Sequence, residues 1–298
     1  MSNAMIRSTK RSQPGTLHHA LRSLCLAALL VGLVAGSGIA QEVNDLLYYA
    51  VTARREGRYD EGAKLLDLAI KKEPANPTLY YVRATILELQ RKFASALADL
   101  DETVLLTPET WEGYQSRGMV QFKLGNVKKS VADFDKVIEM EPETAARHWQ
   151  RGISCYYAGQ FEEGRKQFEL HQTVNSSDVE NGVWHFLCVA KTAGFDTARA
   201  AMIDISGDAR VPMAQVYELF RGKVKPEAVF AAAESGSGDE AKKSNQLFNA
   251  HLYVGLYYEA QSDAANARKH ITIAARDYPQ KHYMWEVARV HAERLAGR

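Results

Sequence analysis

The chain has 298 residues, of which 46% are hydrophobic and 24% are charged, so it can bury a sizeable core in one or two domains. Lysine and arginine number 37, and aspartate and glutamate number 36. A surface so close to neutral lacks the basic surplus of a nucleic-acid-binding protein, and we exclude that class of partner.

The first forty residues have the composition of a leader. Met1–Ala4 resembles a tag remnant, and a basic stretch without acidic residues follows it. An apolar run then spans residues 24–36, and small residues precede Gln41. These three parts are typical of a secretory signal peptide. The sequence therefore predicts a tag remnant and signal peptide over residues 1–40, cleavage after Ala40, and an exported chain that is periplasmic or secreted.

An uncleaved membrane anchor is the alternative interpretation of this leader. Residues 24–40 are fewer than the roughly 20 apolar residues that span a bilayer, and their second half is rich in glycine and serine. Cys25 stands at the start of the apolar run and not at the cleavage point, so lipid attachment there is not predicted.

Removal of the leader would change the net charge of the chain. The leader holds four basic residues and no acidic one, so the remaining chain has 33 basic and 36 acidic residues, a net charge of −3.

A period of 34 residues runs through the chain after the leader. Prolines recur at Pro74, Pro108 and Pro142, small residues at Ala50, Ala84, Gly118 and Gly152 and again at Gly62, Ala96, Ser130 and Gly164, and bulky ones at Leu66, Leu100, Phe134 and Phe168. Small residues allow two antiparallel helices to approach closely, a bulky residue fills the space between them, and proline ends the second helix. The period therefore predicts an all-α solenoid of stacked helix pairs.

The same period sets the expected boundaries of each part. Residues 41–178 hold four units, at 43–76, 77–110, 111–144 and 145–178; residues 179–247 form a divergent helical segment, 248–281 a fifth unit and 282–298 a capping helix. The last helix is predicted because its apolar residues continue at helical spacing.

The period and the positions of the small residues resemble the tetratricopeptide repeat family. Three stretches, "HWQRGISCYYAGQFEEGRKQF", "GVWHFLCVAK" and "LYVGLYYEAQSDAANARKHITIAA", further resemble periplasmic adaptor lipoproteins of the NlpI type. That narrower resemblance implies a homodimer that docks a periplasmic protease and presents cell-wall hydrolases to it. The chain departs from the lipoproteins in having no lipidation cysteine at the cleavage point.

The resemblance to tetratricopeptide proteins also implies a concave groove lined by the first helix of each pair. The residues expected on this concave face are Tyr81, Glu88, Gln115, Met119, Phe122, Lys123, Trp149, Ile153, Tyr156 and Tyr157. They are mostly aromatic or uncharged, and the lysines and asparagines with which family members hold a C-terminal carboxylate do not occur at the matching positions. We expect an apolar peptide, a partner helix or a second copy as the ligand. The alternative is that residues 179–247 fold back and fill the groove.

Arginines at one position of the repeat predict a structural ion pair in the second and third units. Arg83 and Arg117 lie on the first helix of their units, and Asp99 and Asp133 lie on the second. An arginine–carboxylate bond between the two helices would satisfy a partly buried guanidinium group. We therefore predict the pairs Arg83–Asp99 and Arg117–Asp133 as structural and not as ligand-binding.

Residues with catalytic or metal-binding spacing do not stand out in the sequence. It contains no HExxH, GxSxG or phosphate-binding glycine motif. Cys155 and Cys188 belong to separate units, which favours buried free thiols over the disulfide that an exported compartment permits. A nucleophile and a histidine that meet only in the folded chain are the remaining route to catalysis. We predict that the chain is not an enzyme and that it binds no cofactor, metal ion or small-molecule substrate.

The functional prediction is an exported, non-enzymatic scaffold or adaptor that binds a protein or peptide in its groove. Linking an envelope protease to its substrate is the specific role implied by the resemblance. The alternative is a structural, self-assembling homodimer whose groove is occupied by its own chain.

Overall fold

The structure, a computed structural model, describes residues 38–205, 207–235 and 238–297. Within these ranges the chain is helical and contains no strand. The helices are α1 Gly38–Arg55, α2 Tyr59–Lys72, α3 Pro77–Leu89, α4 Phe93–Leu106, α5 Trp111–Lys123, α6 Val127–Met140, α7 Trp149–Tyr157, α8 Phe161–Gln172, α9 Val179–Ala193, α10 Phe195–Ala200, α11 Met213–Phe220, α12 Pro226–Ser235, α13 Glu240–Ala260, α14 Ala264–Asp277 and α15 Tyr283–Leu295. The predicted fold class, an all-α solenoid of antiparallel helix pairs, is confirmed.

Most of the predicted leader lies outside the described residues. Its last three residues, 38–40, form the beginning of α1, so the predicted cleavage point after Ala40 falls within this helix. Among the residues that the structure describes, no helix is long and apolar enough to cross a membrane.

Close contact between the two helices of a pair explains the small residues of the repeat. A Cβ atom added at Gly118 would lie 2.7 Å from the Phe134 ring, and one at Gly152 would lie 2.7 Å from the Phe168 ring. Contacts this short are essentially never made by real Cβ atoms, so each glycine is matched to the large ring that faces it. All four helix pairs, α1–α2, α3–α4, α5–α6 and α7–α8, are in contact as the period predicts.

The turn inside each pair has the same backbone in every unit. Gly57, Gly125 and Gly159 adopt φ values of +77°, +76° and +77° just after the first helix. Glycine reaches this left-handed region without a steric cost. The second unit has Arg91 at the same position with φ +60°, and the fifth has Ser262 with φ +64°.

The C-terminal half curves back towards the first repeats. Helices α13 and α14 form the fifth pair, and α15 packs along α14 and also contacts α5. The largest buried cluster accordingly runs from Phe122 of the third unit to Val290 of α15. The first two units have two smaller clusters of their own, one around Leu66 and one around Leu100.

Candidate functional site: a groove partly filled by the last helix

Helix α15 lies against the concave side of the repeats. Its first residue, Tyr283, packs its ring 5.4 Å from the rings of both Phe122 and Trp149, measured between ring centroids. Near its other end, His291 Nδ1 lies 2.8 Å from the hydroxyl oxygen of Tyr157. The concave face of the third and fourth units is therefore covered by the chain's own last helix.

Two arginines of α15 bind the ends of repeat helices. Arg289 donates to the backbone carbonyl of Lys123, the last residue of α5. Arg294 donates to the carbonyl of Tyr157, the last residue of α7, at 2.6 Å. The final carbonyls of a helix have no partner within it and carry a partial negative charge, so a guanidinium group is a suitable cap. Since the two carbonyls are one repeat apart, α15 crosses equivalent positions of neighbouring units.

Five residues of the predicted concave face are buried in the structure: Phe122, Lys123, Ile153, Tyr156 and Tyr157. The expectation that they form an open aromatic surface is wrong, because α15 and the divergent segment cover them. Trp184 of α9, for example, lies 5.5 Å from Tyr156 between ring centroids. The fold-back alternative named residues 179–247, which supply part of the cover, and α15, which was predicted only to cap the array, supplies another part.

The other five residues of the predicted face, Tyr81, Glu88, Gln115, Met119 and Trp149, are half-buried. Three of them have partners within the repeats. Glu88 forms an ion pair with Lys123, Ser116 donates to the Tyr81 hydroxyl at 3.3 Å, and Gln115 Oε1 lies 2.8 Å from His148 Nε2.

An open part of the groove remains between the first three units and the start of α15. It encloses about 570 Å³ and is lined by Tyr59, Glu88, Leu89, Arg91, Phe93, Met119, Lys123, Gln280, Lys281, His282, Tyr283, Trp285 and Glu286. Leu89 is 52% exposed there. Three basic side chains, Arg91, Lys123 and Lys281, face two acidic ones, Glu88 and Glu286, so the groove combines an apolar floor with a small excess of positive charge.

Both predicted arginine–aspartate pairs occur, and each is extended by a second carboxylate. Arg83 Nε and Nη2 donate to Asp99 at 2.8 and 2.6 Å, and its Nη1 donates to Asp67 at 2.6 Å. Arg117 binds Asp133 through Nε and Nη2 and Asp101 in the same way as Arg83 binds Asp67. Each arginine thus connects the second helices of two successive units.

The hydrogen bonds within the Arg117–Asp133 pair and its burial shift the pKa values of both members. The hydrogen bond to Asp133 raises the pKa of Arg117 against the opposing effect of burial. Burial raises the pKa of Asp133 although Arg117 opposes it. The ion pair therefore recovers only part of the cost of removing this carboxylate from water.

A second polar cluster lies at the start of α9. Glu180 is 3.3 Å from Arg210 Nη1 and lines a cavity of about 180 Å³ together with Trp184 and Asn181. Burial raises the pKa of Glu180 to about 7, although the charge of Arg210 opposes this shift. Such a carboxyl group titrates near neutral pH.

Among the residues that the structure describes, there is neither an activated thiol nor a metal-binding cluster. Cys155 and Cys188 are buried free thiols, and burial raises the pKa of Cys155 to about 11, which disfavours the nucleophilic thiolate. Across residues 38–205, 207–235 and 238–297, no group of three or more His, Cys, Asp or Glu side chains could hold a metal ion.

Sequence reasoning missed the residues that close the groove. Arg91 forms an ion pair with Glu286, and Arg289 Nε donates to the same carboxylate at 2.8 Å. Arg91 and Glu286 are 195 residues apart in the sequence, so the 34-residue period carries no information about their contact. One signal was available, because Arg91 occupies a repeat position that is glycine in three other units.

Comparison with known proteins supports the assignment of the repeats. A tetratricopeptide repeat family model matches residues 50–110. Most of the first unit and all of the second therefore match the tetratricopeptide repeat. A solved tetratricopeptide repeat protein from Parabacteroides merdae is similar over 86% of this chain and 99% of its own, with 16% identity and a TM-score of 0.56, which supports the solenoid fold over nearly the whole chain.

Two plant proteins are similar to a shorter part of this chain. The Hsp70-Hsp90 organizing protein of Triticum aestivum is 37% identical over 70 residues, which are 24% of this chain and 12% of the wheat protein. The TPR repeat-containing thioredoxin TDX of Arabidopsis thaliana is 32% identical over 76 residues, 26% of this chain and 20% of that protein. The chain therefore spans a fifth or less of the curated relatives that it matches.

Proposed function

We propose that this tetratricopeptide repeat protein is a non-enzymatic interaction scaffold whose open groove binds a segment of a partner protein. The observation that carries the proposal is the groove of about 570 Å³ beside α15, a volume within the usual range of ligand sites. Similarity to the Hsp70-Hsp90 organizing protein, which is named for the proteins it organizes, lends further support.

The groove lining defines the kind of segment that fits. Leu89, Phe93 and Met119 supply apolar surface, and Leu89 is exposed enough to be covered by a partner. Apolar side chains buried at the centre of an interface carry most of its binding energy. We propose a short segment with large apolar side chains and at least one acidic residue, which would balance the excess of positive charge.

Selection of peptides on the full chain tests this proposal. A displayed random peptide library should yield binders whose affinity falls at least tenfold with Leu89→Glu, because a carboxylate would interrupt the apolar floor. The matched control is Leu105→Glu, which adds the same charge at a leucine that is 71% exposed on α4 and is not part of the groove. Failure to obtain binders, or equal losses in both variants, would contradict the proposal.

Export and the adaptor role are finer parts of the proposal. We propose that the chain acts in the periplasm or outside the cell and connects an envelope protease or cell-wall hydrolase with its substrate. The motivation is the composition of residues 1–40 and the resemblance to NlpI-type adaptors. Sequencing of the exported protein from its N-terminus should begin at or near Gln41; a retained leader would contradict cleavage.

Self-association is a second candidate function, and the position of α15 favours it in part. The groove of the third and fourth units is occupied by the chain itself, as a structural role would require. In that case the mature chain forms a homodimer and the open groove takes no peptide. Light scattering at micromolar concentration should give twice the chain mass, whereas a monomer at all concentrations would remove this candidate.

A further inference from the structure

Arg91 has a backbone conformation that suits glycine. Its φ of +60° lies in the left-handed region, where Gly57, Gly125 and Gly159 stand at the same position of their units. A side chain with a Cβ atom is strained there. Strain of this kind persists only where the surrounding structure compensates for it, and it is often found at functional sites.

The side chain of Arg91 makes the compensating contacts, and all of them lie at the groove. Its guanidinium carbon is 5.0 Å from the centre of the Phe93 ring and 4.5 Å from that of the Trp285 ring. Both terminal nitrogens donate to Glu286, with Nη2 at 3.3 Å from Oε2. Arg91 therefore binds a tryptophan and the acidic residue next to it, both on α15.

Arg91 is also within reach of a second protein. Its side chain is 42% exposed, whereas that of Glu286 is only 10% exposed. Phe93, Trp285 and Glu286 line the open groove together with Arg91. A segment that enters the groove thus meets the contact between the second unit and α15.

We propose that Arg91 is a clasp that holds the Trp285–Glu286 pair in the groove, and that the partner carries an aromatic residue followed by an acidic one, which takes the place of this pair. The inference rests on the proposed function of the groove as a site for a protein segment. The resident pair provides the template: an aromatic face for the guanidinium group and a carboxylate for its two terminal nitrogens. Binding of the partner then releases the start of α15.

A peptide of this chain's own sequence tests the clasp in the full-length protein. The probe is a labelled synthetic peptide of residues 281–297, and its control carries Glu286→Ala. In the protein, Glu286→Gln keeps the shape of the resident side chain but removes its charge. The probe should bind this variant at least tenfold more tightly than the wild type, and adding Arg91→Gly should abolish the gain. Equal binding to wild type and Glu286→Gln, or binding that survives Arg91→Gly, would overturn the proposal.

Thermal unfolding gives a readout that does not depend on the peptide. Arg91→Gly relieves the strained backbone and removes the clasp, whereas Ser262→Gly relieves strain at the equivalent position of the fifth unit. Ser262→Gly should raise the Tm by a few degrees, and Arg91→Gly should lower it. A rise in both variants would show that the contacts of Arg91 do not outweigh its strain, and would overturn the clasp.

The two proposals fail in different ways. Library peptides that depend on Leu89 but bind equally well to wild type and Arg91→Gly would support the groove as a protein-binding site and overturn the clasp. Absence of any groove binder would contradict the proposed function, while the Tm comparison would still decide whether Arg91 holds α15.

Discussion

Polar contacts within the repeats join residues that are close in the sequence, whereas the polar contacts between the repeats and α15 join residues that are far apart in it. In the repeats, Arg83 binds Asp67 and Asp99, each 16 residues away. Between the second unit and α15, Arg91 binds Glu286, which is 195 residues away. The repeats are therefore stabilised by contacts between neighbouring helices, and the filled groove depends on contacts between the two ends of the array.

This difference predicts the largest effect for an aromatic residue under α15. Phe122 is fully buried and contacts both Tyr157 and Tyr283. Phe122→Ala should lower the free energy of unfolding by about 3–5 kcal/mol, as for other large core side chains. Met119→Ala is the control on the same helix, because Met119 is half-buried and faces the open groove. Urea unfolding should show a clearly smaller loss for Met119→Ala; equal small losses would mean that α15 does not cover this face.

The ion pairs of the repeats should give the next largest effect. Arg117→Met leaves Asp133 buried without its main partner, which should cost about 3 kcal/mol of stability. Replacing Asp133 by leucine as well removes the unpaired charge, so the double variant should be much more stable than Arg117→Met. Chemical unfolding of the wild type and the two variants measures both differences. A double variant as unstable as the single one would show that lost packing, and not the charge, causes the effect.

The two regions were unequally predictable from the sequence. The helix pairs, their small residues and the pairs of Arg83 and Arg117 follow from one period of 34 residues, because each contact recurs between neighbouring helices. The cover over Tyr157 did not follow, since its partner His291 is 134 residues away. A concave position has the same local pattern whether it faces solvent or another part of the chain. The one sign in the sequence of the contact with α15 was Arg91, which stands where three other units have glycine.

A half-buried carboxyl group of the C-terminal half, that of Glu180, should give a smaller, pH-dependent effect. Glu180 has a folded-state pKa of about 7 against an ordinary value of 4.5, and burial is the main cause. A raised pKa in an acid means that its protonated form stabilises the fold, so this contribution is lost as pH rises from about 4.5 through 7. Since its side chain is 20% exposed, we expect about 1–2 kcal/mol, less than the full shift implies.

A glutamine at this position separates that effect from other titrations. Glu180→Gln should be more stable than the wild type at pH 8, and the difference should shrink towards pH 5. Guanidinium unfolding at both pH values measures it. A pH-independent difference would mean that Glu180 titrates normally. Arg83 and Arg117 offer the contrast, because an arginine side chain keeps its charge over this pH range.

Whether α15 packs against the second unit is tested most directly by measuring the interaction energy between Arg91 and Glu286. This energy is the smallest of the expected effects. A double-mutant cycle with Arg91→Ala and Glu286→Ala isolates the interaction between these two side chains from the separate contacts of Glu286 with Arg289. Because Arg91 is partly exposed, we expect a coupling energy of about 1 kcal/mol in the free energy of unfolding. A coupling energy of zero within error would contradict the account, since it would place α15 away from the second repeat.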